Sequence, residues 1–322
     1  MTAQDACRLP RAQKVYLLSA DLELKETLSS LWDEGQLEIV HFDRGRGAIE
    51  VLFNELPDLL IVDHDLPDMP GLDVVNLVKS ENVYRQLPVI LAIREDSLMG
   101  GADWCSAEVD DLIIIPSTPA RMKVRVFLTI TRASRAFDAN PLSKLPGNTS
   151  IIQRIQEMID RREDFALAYA DLDYFKSFND KYGFSRGDEV LMMTARVIVN
   201  TIRGFSGVRS FVGHVGGDDF VYILPPDKVE LACQRIVENF DSIVPHFYDE
   251  EDRARGFIQS TDREGNMRTF PLMAISIAVV FNVEGKRLQH YGEASQIAMN
   301  LKKKAKENPK SSYVLDRRTS GA

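Results

Sequence analysis

The sequence predicts two domains: an α/β domain with a doubly wound parallel sheet, followed by an α+β domain with a mainly antiparallel sheet. Its 322 residues are enough for two domains of ordinary size. The first half alternates short apolar runs with amphipathic stretches, which is typical of consecutive βαβ units. After a polar break near residues 138–148 the pattern begins afresh without strict alternation, and this favours antiparallel pairing in the second half.

Five apolar runs in the first half are predicted strands, and the amphipathic segments after four of them are predicted helices. The strands are Val15–Leu18, Leu37–Val40, Leu59–Val62, Val89–Leu91 and Leu112–Ile115. The helices lie near residues 22–33, 45–54, 72–80 and 119–136, and residues 132–137 are expected to continue the last one out of the domain. Functional residues of such a sheet gather at the carboxyl ends of its strands, where Asp63 follows the third run.

Apolar stripes at helical spacing predict three helices in the second half, and apolar runs predict three strands. The helices are centred on Ile151–Ile159, Val190–Ile198 and Val229–Ile243, and the strands are Phe165–Ala170, Phe220–Leu224 and Leu272–Val280. The polar segment 256–269 predicts an inserted hairpin. Tyr248–Asp252 is expected to be an exposed acidic loop, and Lys302–Lys304 with Lys306 a solvated helix face.

Composition and charge exclude several functional classes. The net charge of −9 argues against nucleic-acid and anionic-membrane partners. Three scattered cysteines without a CxxC pair suit a reducing compartment and offer neither a zinc site nor a disulfide framework. The N-terminus lacks an apolar signal core, and the longest apolar stretch, Phe270–Val283, is too short to span a bilayer. A cytoplasmic protein without nucleic-acid or membrane partners is therefore expected.

Two acidic turns in the second half carry the strongest chemical signal. Gly216–Phe220 reads Gly-Gly-Asp-Asp-Phe, and paired glycines let backbone approach a ligand closely. Asp171–Lys176 reads Asp-Leu-Asp-Tyr-Phe-Lys directly after a predicted strand. If the two strands are neighbours, Asp171 and Asp218 face each other across one sheet edge. A site of few carboxylates would hold Mg²⁺, or Mn²⁺, and leave coordination positions for substrate phosphates.

These two blocks resemble the GGDEF domain of bacterial diguanylate cyclases. The resemblance rests on DLDYFKSFNDKYGFSRGDEVL from Asp171 to Leu191 and on GGDDF at 216–220, and it covers roughly residues 141–318. The family joins two GTP molecules into cyclic di-GMP with release of pyrophosphate, each GTP being carried by one copy of a homodimer. The resemblance therefore implies a nucleotidyltransferase with a palm-like antiparallel sheet and a two-fold catalytic dimer.

The resemblance also implies a role for each matching position. The metal positions are Asp171, the Leu172 carbonyl, Asp218 and Asp219, and the catalytic positions are Asp218, Asp219 and Lys176. Substrate binding falls to Tyr174, Phe175, Asn179, Asp188, Gly216, Gly217 and the late basic pair Lys306 and Lys310. Asp188, expected in the first turn of a helix, favours GTP over ATP because it can accept from both N1–H and the exocyclic amine of guanine.

Three departures from the family pattern keep alternatives open. The motif's fourth residue is Asp219 where the family has Glu, so a non-catalytic signalling scaffold that binds GTP or a protein partner is the alternative to an active cyclase. The product-inhibition motif RxxD reads Gly207–Ser210 with neither end matching, so feedback inhibition is not expected. The usual LTGLxNR opening reads Leu142–Asn148 in altered form.

A promiscuous cyclic-dinucleotide synthase is a third hypothesis, which Asp188 opposes. His214 is expected to be structural because no metal-binding partner accompanies it.

The first half resembles the response-regulator receiver domain over about residues 13–135. Asp63, followed by His64–Gly71, matches the phosphoacceptor strand and loop. The acidic pair after strand one instead reads Ser19-Ala20, the switch hydroxyl reads Ile93, and the lysine after strand five reads Ile115. These losses favour a flavodoxin-like pseudo-receiver for dimerisation or for a partner such as a histidine kinase, with phosphorylation of Asp63 as the alternative. The expected domains are 1–135, a linker at 136–147, and 148–322.

Overall fold

The computed structural model describes residues 9, 11–33, 35–52, 54–98, 104, 107–205, 207, 209–261 and 267–317. The chain divides into two compact units, Met1–Phe137 and Asp138–Ala322. Residues 1–8 of the expected first domain, residues 318–322 of the expected last one and the tip of the predicted hairpin at 262–266 lie outside the described residues. No helix of the described chain is long and apolar enough to cross a bilayer.

The first unit is a five-stranded parallel sheet with strand order β2-β1-β3-β4-β5, which confirms the predicted doubly wound α/β fold. Its strands are β1 Gln13–Leu18, β2 Leu37–Phe42, β3 Leu59–Asp63, β4 Val89–Arg94 and β5 Asp111–Ile115. Its helices are α1 Leu22–Ser29, α2 Gly45–Leu52, α3 Gly71–Ser80, α4 Glu95–Leu98 and α5 Pro119–Asp138. α5 continues past residue 136 as expected, while the four-residue α4 is too short to leave a periodic pattern.

The parallel strands are apolar on both faces because each face of the sheet packs against helices. Successive residues of β1 show this alternation: Leu17 belongs to the core on one face and Leu18 to the core on the other. Both are fully buried, as are all four apolar residues of β3 before Asp63. Burial therefore ends at the carboxyl edge of β3, where Asp63 is partly accessible.

The second unit contains a five-stranded mixed sheet with order β12-β11-β6-β8-β7 and a separate two-stranded hairpin. Its strands are β6 Phe165–Asp173, β7 Phe211–Gly216, β8 Asp219–Leu224, β9 Phe257–Thr261, β10 Met267–Pro271, β11 Ala274–Asn282 and β12 Ser312–Leu315. Its helices are α6 Asn148–Asp160, α7 Phe175–Tyr182, α8 Phe184–Arg203, α9 Val229–Ile243, α10 Glu250–Arg255 and α11 Tyr291–Ala305, with a 3₁₀ helix at Val244–Phe247. All pairings except β11 with β12 are antiparallel, which confirms the predicted α+β class.

Several boundaries in the second unit differ from the prediction. β6 runs on to Asp173, so Asp171 lies inside the strand instead of closing it. The predicted strand Leu272–Val280 begins at Ala274, because Pro271 ends the preceding hairpin strand β10. Asp188 is the fifth residue of α8 and so lies in its second turn, not the first. The segment predicted as an acidic loop, Tyr248–Asp252, instead enters α10, with Asp252 buried.

Candidate functional site

The candidate site forms where β6 meets the β7–β8 hairpin at the centre of the second sheet. β6 pairs antiparallel with β8 on one side and with β11 on the other. In this register Asp171 stands opposite Asp219 on β8 and opposite Ser276 on β11. The neighbouring strands that the acidic turns required are therefore present, and they bring the two motif blocks to one place.

The turn between β7 and β8 depends on its two glycines. Gly216 has φ 148° and Gly217 has φ 57°, and both values lie in the region that side chains other than glycine rarely adopt. The register of the hairpin shifts between His214 and Gly216, so a bulge precedes the turn. Asp218 follows at the turn's tip, outside the strands, and Asp219 begins β8.

Three carboxylates meet at this edge. Oxygen atoms of Asp171, Asp218 and Asp219 all lie within 4.8 Å of one another. Asp171 is 6% exposed, whereas the other two are partly accessible. Leu172, whose carbonyl the resemblance implies as a further metal ligand, follows Asp171 in the same strand. This acidic cluster, Asp171 with Asp218 and Asp219, offers the hard oxygen donors that Mg²⁺ and Mn²⁺ prefer.

Two lysines at the carboxyl end of α11 contact the cluster: Lys302 in its last turn and Lys306, the residue that follows the helix. Lys302 Nζ lies 2.6 Å from Asp171 Oδ2 and also contacts Asp219 Oδ1. Lys306 Nζ lies 2.5 Å from Asp171 Oδ1 and 3.4 Å from Asp173 Oδ1. The prediction of a solvated lysine face is therefore wrong for Lys302, which is partly buried, whereas Lys306 is exposed as predicted and also contacts the cluster. The two lysines stand one helical turn apart.

The predicted basic pair is also displaced by one turn. Lys310 lies beyond the end of α11, where its backbone N–H donates to Asn308 Oδ1 at 3.1 Å. Within the described chain, no ion pair joins Lys310 to the acidic cluster. The pair at the cluster is Lys302 and Lys306, since an i, i+4 spacing ending at Lys306 keeps both side chains on one helix face.

The electrostatics of the cluster match a divalent cation. Burial raises the pKa of Asp171, but the hydrogen bonds from Lys302 and Lys306 outweigh it and hold that pKa below its ordinary value. Burial, together with the charge of Asp171, raises the pKa of Asp218, and burial also raises the pKa of Asp219 despite Lys302. Four carboxylates, including Asp173, face two ammonium groups, which leaves a formal excess of two negative charges. The donor set thus fits Mg²⁺ or Mn²⁺.

The start of α7 lies directly beside the cluster in the chain. Tyr174 takes a left-handed conformation, φ 64°, and turns the chain from β6 into α7 within one residue. Phe175 and Lys176 are the first residues of α7, where backbone N–H groups lack helical partners and favour anions. Lys176 is exposed, so its side chain is accessible to a phosphate. This placement agrees with the phosphate-binding role that the resemblance implies for these residues.

The two positions implied for base recognition meet where α7 passes α8. A Cβ on Gly187 would lie 1.8 Å from Asn179 Oδ1, so the absence of a side chain at 187 allows this close approach. Among the described residues Asn179 Oδ1 is buried without a hydrogen-bond partner. Asp188 is exposed and lines a cavity of about 840 Å³ beside α8. A buried acceptor without a partner on α7 thus packs against Gly187 of α8, and the next residue of α8, Asp188, presents an exposed carboxylate.

The site of the first unit centres on Asp63. The Ser19 hydroxyl donates to Asp63 Oδ2 at 2.7 Å, and the Asp65 N–H donates to Asp63 Oδ1 at 3.2 Å. Asp21, the nearest acid to the altered pair, accepts from the N–H groups of Glu23 and Leu24 and so caps α1. Its carboxylate is thereby committed to the helix. Ile93 is fully buried in β4, and Ile115 ends β5.

Comparison with known families decides the assignment of the second unit. A model of the diguanylate cyclase GGDEF domain matches residues 138–309, more than half of the chain, and a model of the response regulator receiver domain matches residues 20–127. The chain belongs to the GGDEF family. Both domain types were predicted from the sequence, and both are confirmed.

Individual relatives are similar to parts of the chain. The chain is 32% identical over 99 residues to diguanylate cyclase DgcP of Pseudomonas aeruginosa, covering 30% of this chain and 14% of DgcP. It is 26% identical over 199 residues to the response regulator PleD of Caulobacter vibrioides, covering 56% of this chain and 42% of PleD. The chain thus spans less than half the length of these relatives. A crystal structure of diguanylate cyclase SiaD with its activator SiaC is 20% identical, with a TM-score of 0.41 over 61% of this chain and 70% of SiaD.

Sequence reasoning missed three residues of the GGDEF site. Lys302 escaped because three consecutive lysines look like a solvated face, although its i, i+4 relation to Lys306 was a usable signal. Asp173 was quoted only as part of a motif, yet it is buried and accepts from the Ser276 hydroxyl at 2.5 Å. Ser276 gave no signal, because only the pairing of β11 with β6, which sets Ser276 opposite Asp171, brings its hydroxyl within reach of Asp173 two residues along the strand.

Proposed function

We propose that the chain is a diguanylate cyclase that condenses two GTP molecules into cyclic di-GMP and two pyrophosphates. The observation that carries this proposal is the convergence of Asp171, Asp218 and Asp219 within 4.8 Å beside the start of α7. Family membership gives the reaction class, and the cluster supplies the charge that the reaction needs. In-line phosphoryl transfer requires little covalent chemistry from the protein, because positioning and charge neutralisation supply most of the catalysis.

Each group of residues has a distinct task in this proposal. Asp171, Asp218, Asp219 and the Leu172 carbonyl would hold Mg²⁺ or Mn²⁺, which when bound neutralises phosphate charge and lowers the pKa of the attacking hydroxyl. The N–H groups at the start of α7 and the Lys176 ammonium bind phosphate oxygens. Asn179 and Asp188 orient the guanine through its amide and amine hydrogens. The 3′-hydroxyl of one GTP then attacks the α-phosphorus of the other, and pyrophosphate leaves.

Lys302 and Lys306 contribute to the proposed reaction through the negatively charged groups that their ammonium groups contact. Their ammonium groups contact the carboxylates of Asp171 and Asp219. With those oxygen atoms holding Mg²⁺ or Mn²⁺, the two side chains would be free to bind the substrate phosphates. Lys302 and Lys306 would thus offset part of the negative charge of either the carboxylates or the phosphates, which avoids leaving the buried carboxylates uncompensated.

We also propose that catalysis takes place across a homodimer. Each GGDEF domain offers one cluster and one base-recognition pair, whereas the reaction needs two nucleotides with opposed reacting groups. Two copies related by a two-fold axis satisfy this requirement. The first unit serves in this proposal as a pseudo-receiver that supports dimer formation or binds a signalling protein such as a histidine kinase, because Ser19, Ile93 and Ile115 replace the groups of phosphotransfer.

The test is formation of cyclic di-GMP from GTP and Mg²⁺, followed by chromatography over a range of protein concentrations. We expect the rate per molecule of protein to rise with concentration, since the dimer is the active form. Asp218→Ala should lower the rate on the order of 10²-fold or more, because a misplaced or missing ligand affects every reacting group. Asp227→Ala, which removes an exposed aspartate of the same unit, is the matched control and should leave the rate unchanged. Binding of GTP without formation of cyclic di-GMP at every protein concentration would contradict the proposal.

A signalling scaffold is the second candidate, and one observation favours it. Asp219 is one methylene shorter than the family's glutamate, and its carboxylate contacts Lys302. In this candidate the domain binds GTP or a protein partner without turnover. The same assay separates the two candidates, because a scaffold retains GTP binding by calorimetry while the product is absent. Competition between ATP and GTP tests the base preference that Asp188 implies.

A further inference from the structure

His214 is a buried histidine whose two ring nitrogens both have partners. It lies on β7, two residues before the glycine turn, and is 1% exposed. Its Nε2 lies 2.9 Å from the Gly217 carbonyl oxygen, and its Nδ1 lies 2.9 Å from the Ser143 hydroxyl. The ring therefore joins the turn of the GGDEF motif to a segment more than 70 residues earlier in the chain.

The partners fix the proton on one nitrogen. A carbonyl oxygen can only accept, so Nε2 must carry the hydrogen that is donated to Gly217. In the neutral ring Nδ1 is then an acceptor, and the Ser143 hydroxyl can donate to it. Burial lowers the pKa of His214, which favours this neutral form. The Gly217 carbonyl thus selects the Nε2–H tautomer, and the Ser143 hydroxyl stabilises it by donating to the unprotonated Nδ1.

The ring has little freedom to move. It stacks on Phe220 with centroids 4.1 Å apart and an interplanar angle of 25°. The His214 backbone N–H donates to the Pro146 carbonyl at 2.9 Å. At the preceding position, Gly213, a Cβ would lie only 2.5 Å from Ile151. The ring of His214 is therefore restrained by Phe220, and its backbone by the Pro146 carbonyl and by the packing of Gly213 against Ile151.

The Gly216–Gly217 turn requires a hydrogen bond from outside the turn to fix its conformation, because its own backbone provides few restraints. Two consecutive glycines have the widest conformational range of any dipeptide, and the strand register shifts between His214 and Gly216. The Gly217 carbonyl belongs to the peptide group that it shares with Asp218. Fixing this carbonyl fixes the direction in which Asp218 leaves the turn.

The segment that supplies Ser143 is itself rigid. This lead-in segment, residues 138–147, directly follows the last turn of α5 in sequence. The Asp138 carboxylate accepts from the N–H groups of Gly147, Thr149 and Ser150 at 2.7–3.0 Å, which caps α6. Asn140 Oδ1 accepts from the N–H groups of Leu142 and Ser143 at 3.0 Å each. A chain of hydrogen bonds thus runs from Asn140 through Ser143 and His214 to Gly217.

We propose that His214 is a positioning residue for the acidic cluster, holding the Gly217 carbonyl so that Asp218 points at Asp171 and Asp219, with Ser143 hydrogen-bonded to the other ring nitrogen. This proposal rests on the proposed function of the cluster as a metal and GTP site. His214 itself contacts neither the cluster carboxylates nor, in the proposed mechanism, the reacting atoms. Its effect is transmitted through one hydrogen bond to the turn, as outer-shell partners orient ligands at metal sites.

The decisive comparison is between His214→Gln and His214→Met in the full-length chain. The two replacements have nearly the same length and shape, but only glutamine retains an N–H donor for Gly217. We expect His214→Met to lower kcat for cyclic di-GMP formation about 10-fold or more with KM for GTP within about twofold, since the base and phosphate contacts remain. His214→Gln should remain within about threefold of the unchanged protein. Ser143→Ala, which leaves the ring in place, should show an intermediate loss.

Two further measurements test the positioning role of His214 independently of the rate of cyclic di-GMP formation. The ¹⁵N spectrum of the unchanged protein should show the Nε2–H tautomer of His214, and Ser143→Ala should keep that tautomer because the Gly217 carbonyl remains. Mn²⁺ binding followed by electron paramagnetic resonance should weaken about tenfold in His214→Met and little in His214→Gln. If the unchanged protein makes no cyclic di-GMP but these two results hold, the proposed function fails and the positioning role stands. Equal behaviour of His214→Gln and His214→Met in Mn²⁺ binding, or an Nδ1–H tautomer, would overturn the inference.

Discussion

A single methylene separates Asp219 from the glutamate that the family places at this position of its motif. The difference matters because Asp219 is not an isolated turn residue. Its carboxylate contacts Lys302, lies in the acidic cluster and stands opposite Asp171 in the strand register. Reach, charge and hydrogen bonding at residue 219 are therefore coupled, and Mg²⁺ tolerates displaced ligands poorly.

The change Asp219→Glu tests whether this residue limits turnover. We expect kcat for cyclic di-GMP formation to rise by about threefold to tenfold, because a longer carboxylate reaches the cation without moving β8. The matched control is Asp219→Asn, which keeps the size of aspartate but loses its charge, and it should lower kcat. The measurement is the initial rate at saturating GTP and Mg²⁺. An unchanged or lower rate for Asp219→Glu would show that the site has adapted to aspartate or has lost its catalytic use.

At the scale of residues, the sequence indicated the acids of the cluster better than its bases. Asp171 and Asp218 each follow or precede an apolar run, so their convergence required only that two strands be neighbours. The position of Lys302 depends on how α11 packs against β11 and on which helix face turns inward. A run of three lysines contains no apolar residue to mark that face, so packing against the sheet decides it.

At the scale of elements, the contact between α7 and α8 shapes the surroundings of Asn179 and Asp188, the pair proposed to recognise the base. Gly187 lies within α8, where glycine lowers helix stability by about 1 kcal/mol relative to alanine. The chain nevertheless has glycine here, and a Cβ at this position would lie 1.8 Å from Asn179 Oδ1. The space at residue 187 therefore serves the orientation of Asn179 rather than the stability of α8.

The substitution Gly187→Ala sets these two effects against each other. We expect GTP affinity, measured by calorimetry, to fall about tenfold because Asn179 must turn away, while the free energy of unfolding changes by less than about 1 kcal/mol. Gly47→Ala in α2 is the matched control, because a Cβ there meets nothing within 4 Å. It should stabilise the protein by about 0.4–1 kcal/mol without affecting GTP affinity. Unchanged GTP affinity in Gly187→Ala would show that Asn179 does not recognise the base.

Long periodic elements were predictable from the sequence, and short or edge elements were not. α9 has the predicted bounds, Val229–Ile243, because its apolar stripe runs its full length. The edge strands β7 and β12 escaped prediction, since Phe211–Gly216 carries two glycines and a histidine and Ser312–Leu315 has only four residues. α7 escaped because its eight residues continue a motif that looks like a loop. These missed elements contain His214 and the start of α7, which is proposed to bind phosphate. The candidate site was therefore less predictable than the fold.

At the scale of the whole molecule, the two units keep different parts of their families' chemistry. The GGDEF domain retains three carboxylates in one cluster. In the first unit Asp63 retains its place at the end of β3, but its neighbour is the neutral Ser19 hydroxyl, 2.7 Å away. Asp21 cannot substitute for the lost acids while it caps α1. Regulation of the proposed cyclase by phosphorylation would therefore have to work without a strong cation site.

The missing acids and lysine around Asp63 predict that this residue is not phosphorylated. The double negative charge of an aspartyl phosphate requires a bound cation and a lysine, and Ser19 and Ile115 provide neither. We expect acetyl phosphate with Mg²⁺ to leave Asp63 unmodified by mass spectrometry and to change the rate of cyclic di-GMP formation by less than about twofold. A variant with Ser19→Asp, Ala20→Asp and Ile115→Lys should gain phosphorylation, and adding Asp63→Asn should abolish that gain. Phosphorylation of Asp63 in the unchanged protein would instead make the first unit a working receiver, because the Ser19 hydroxyl would then suffice where the family uses two acids.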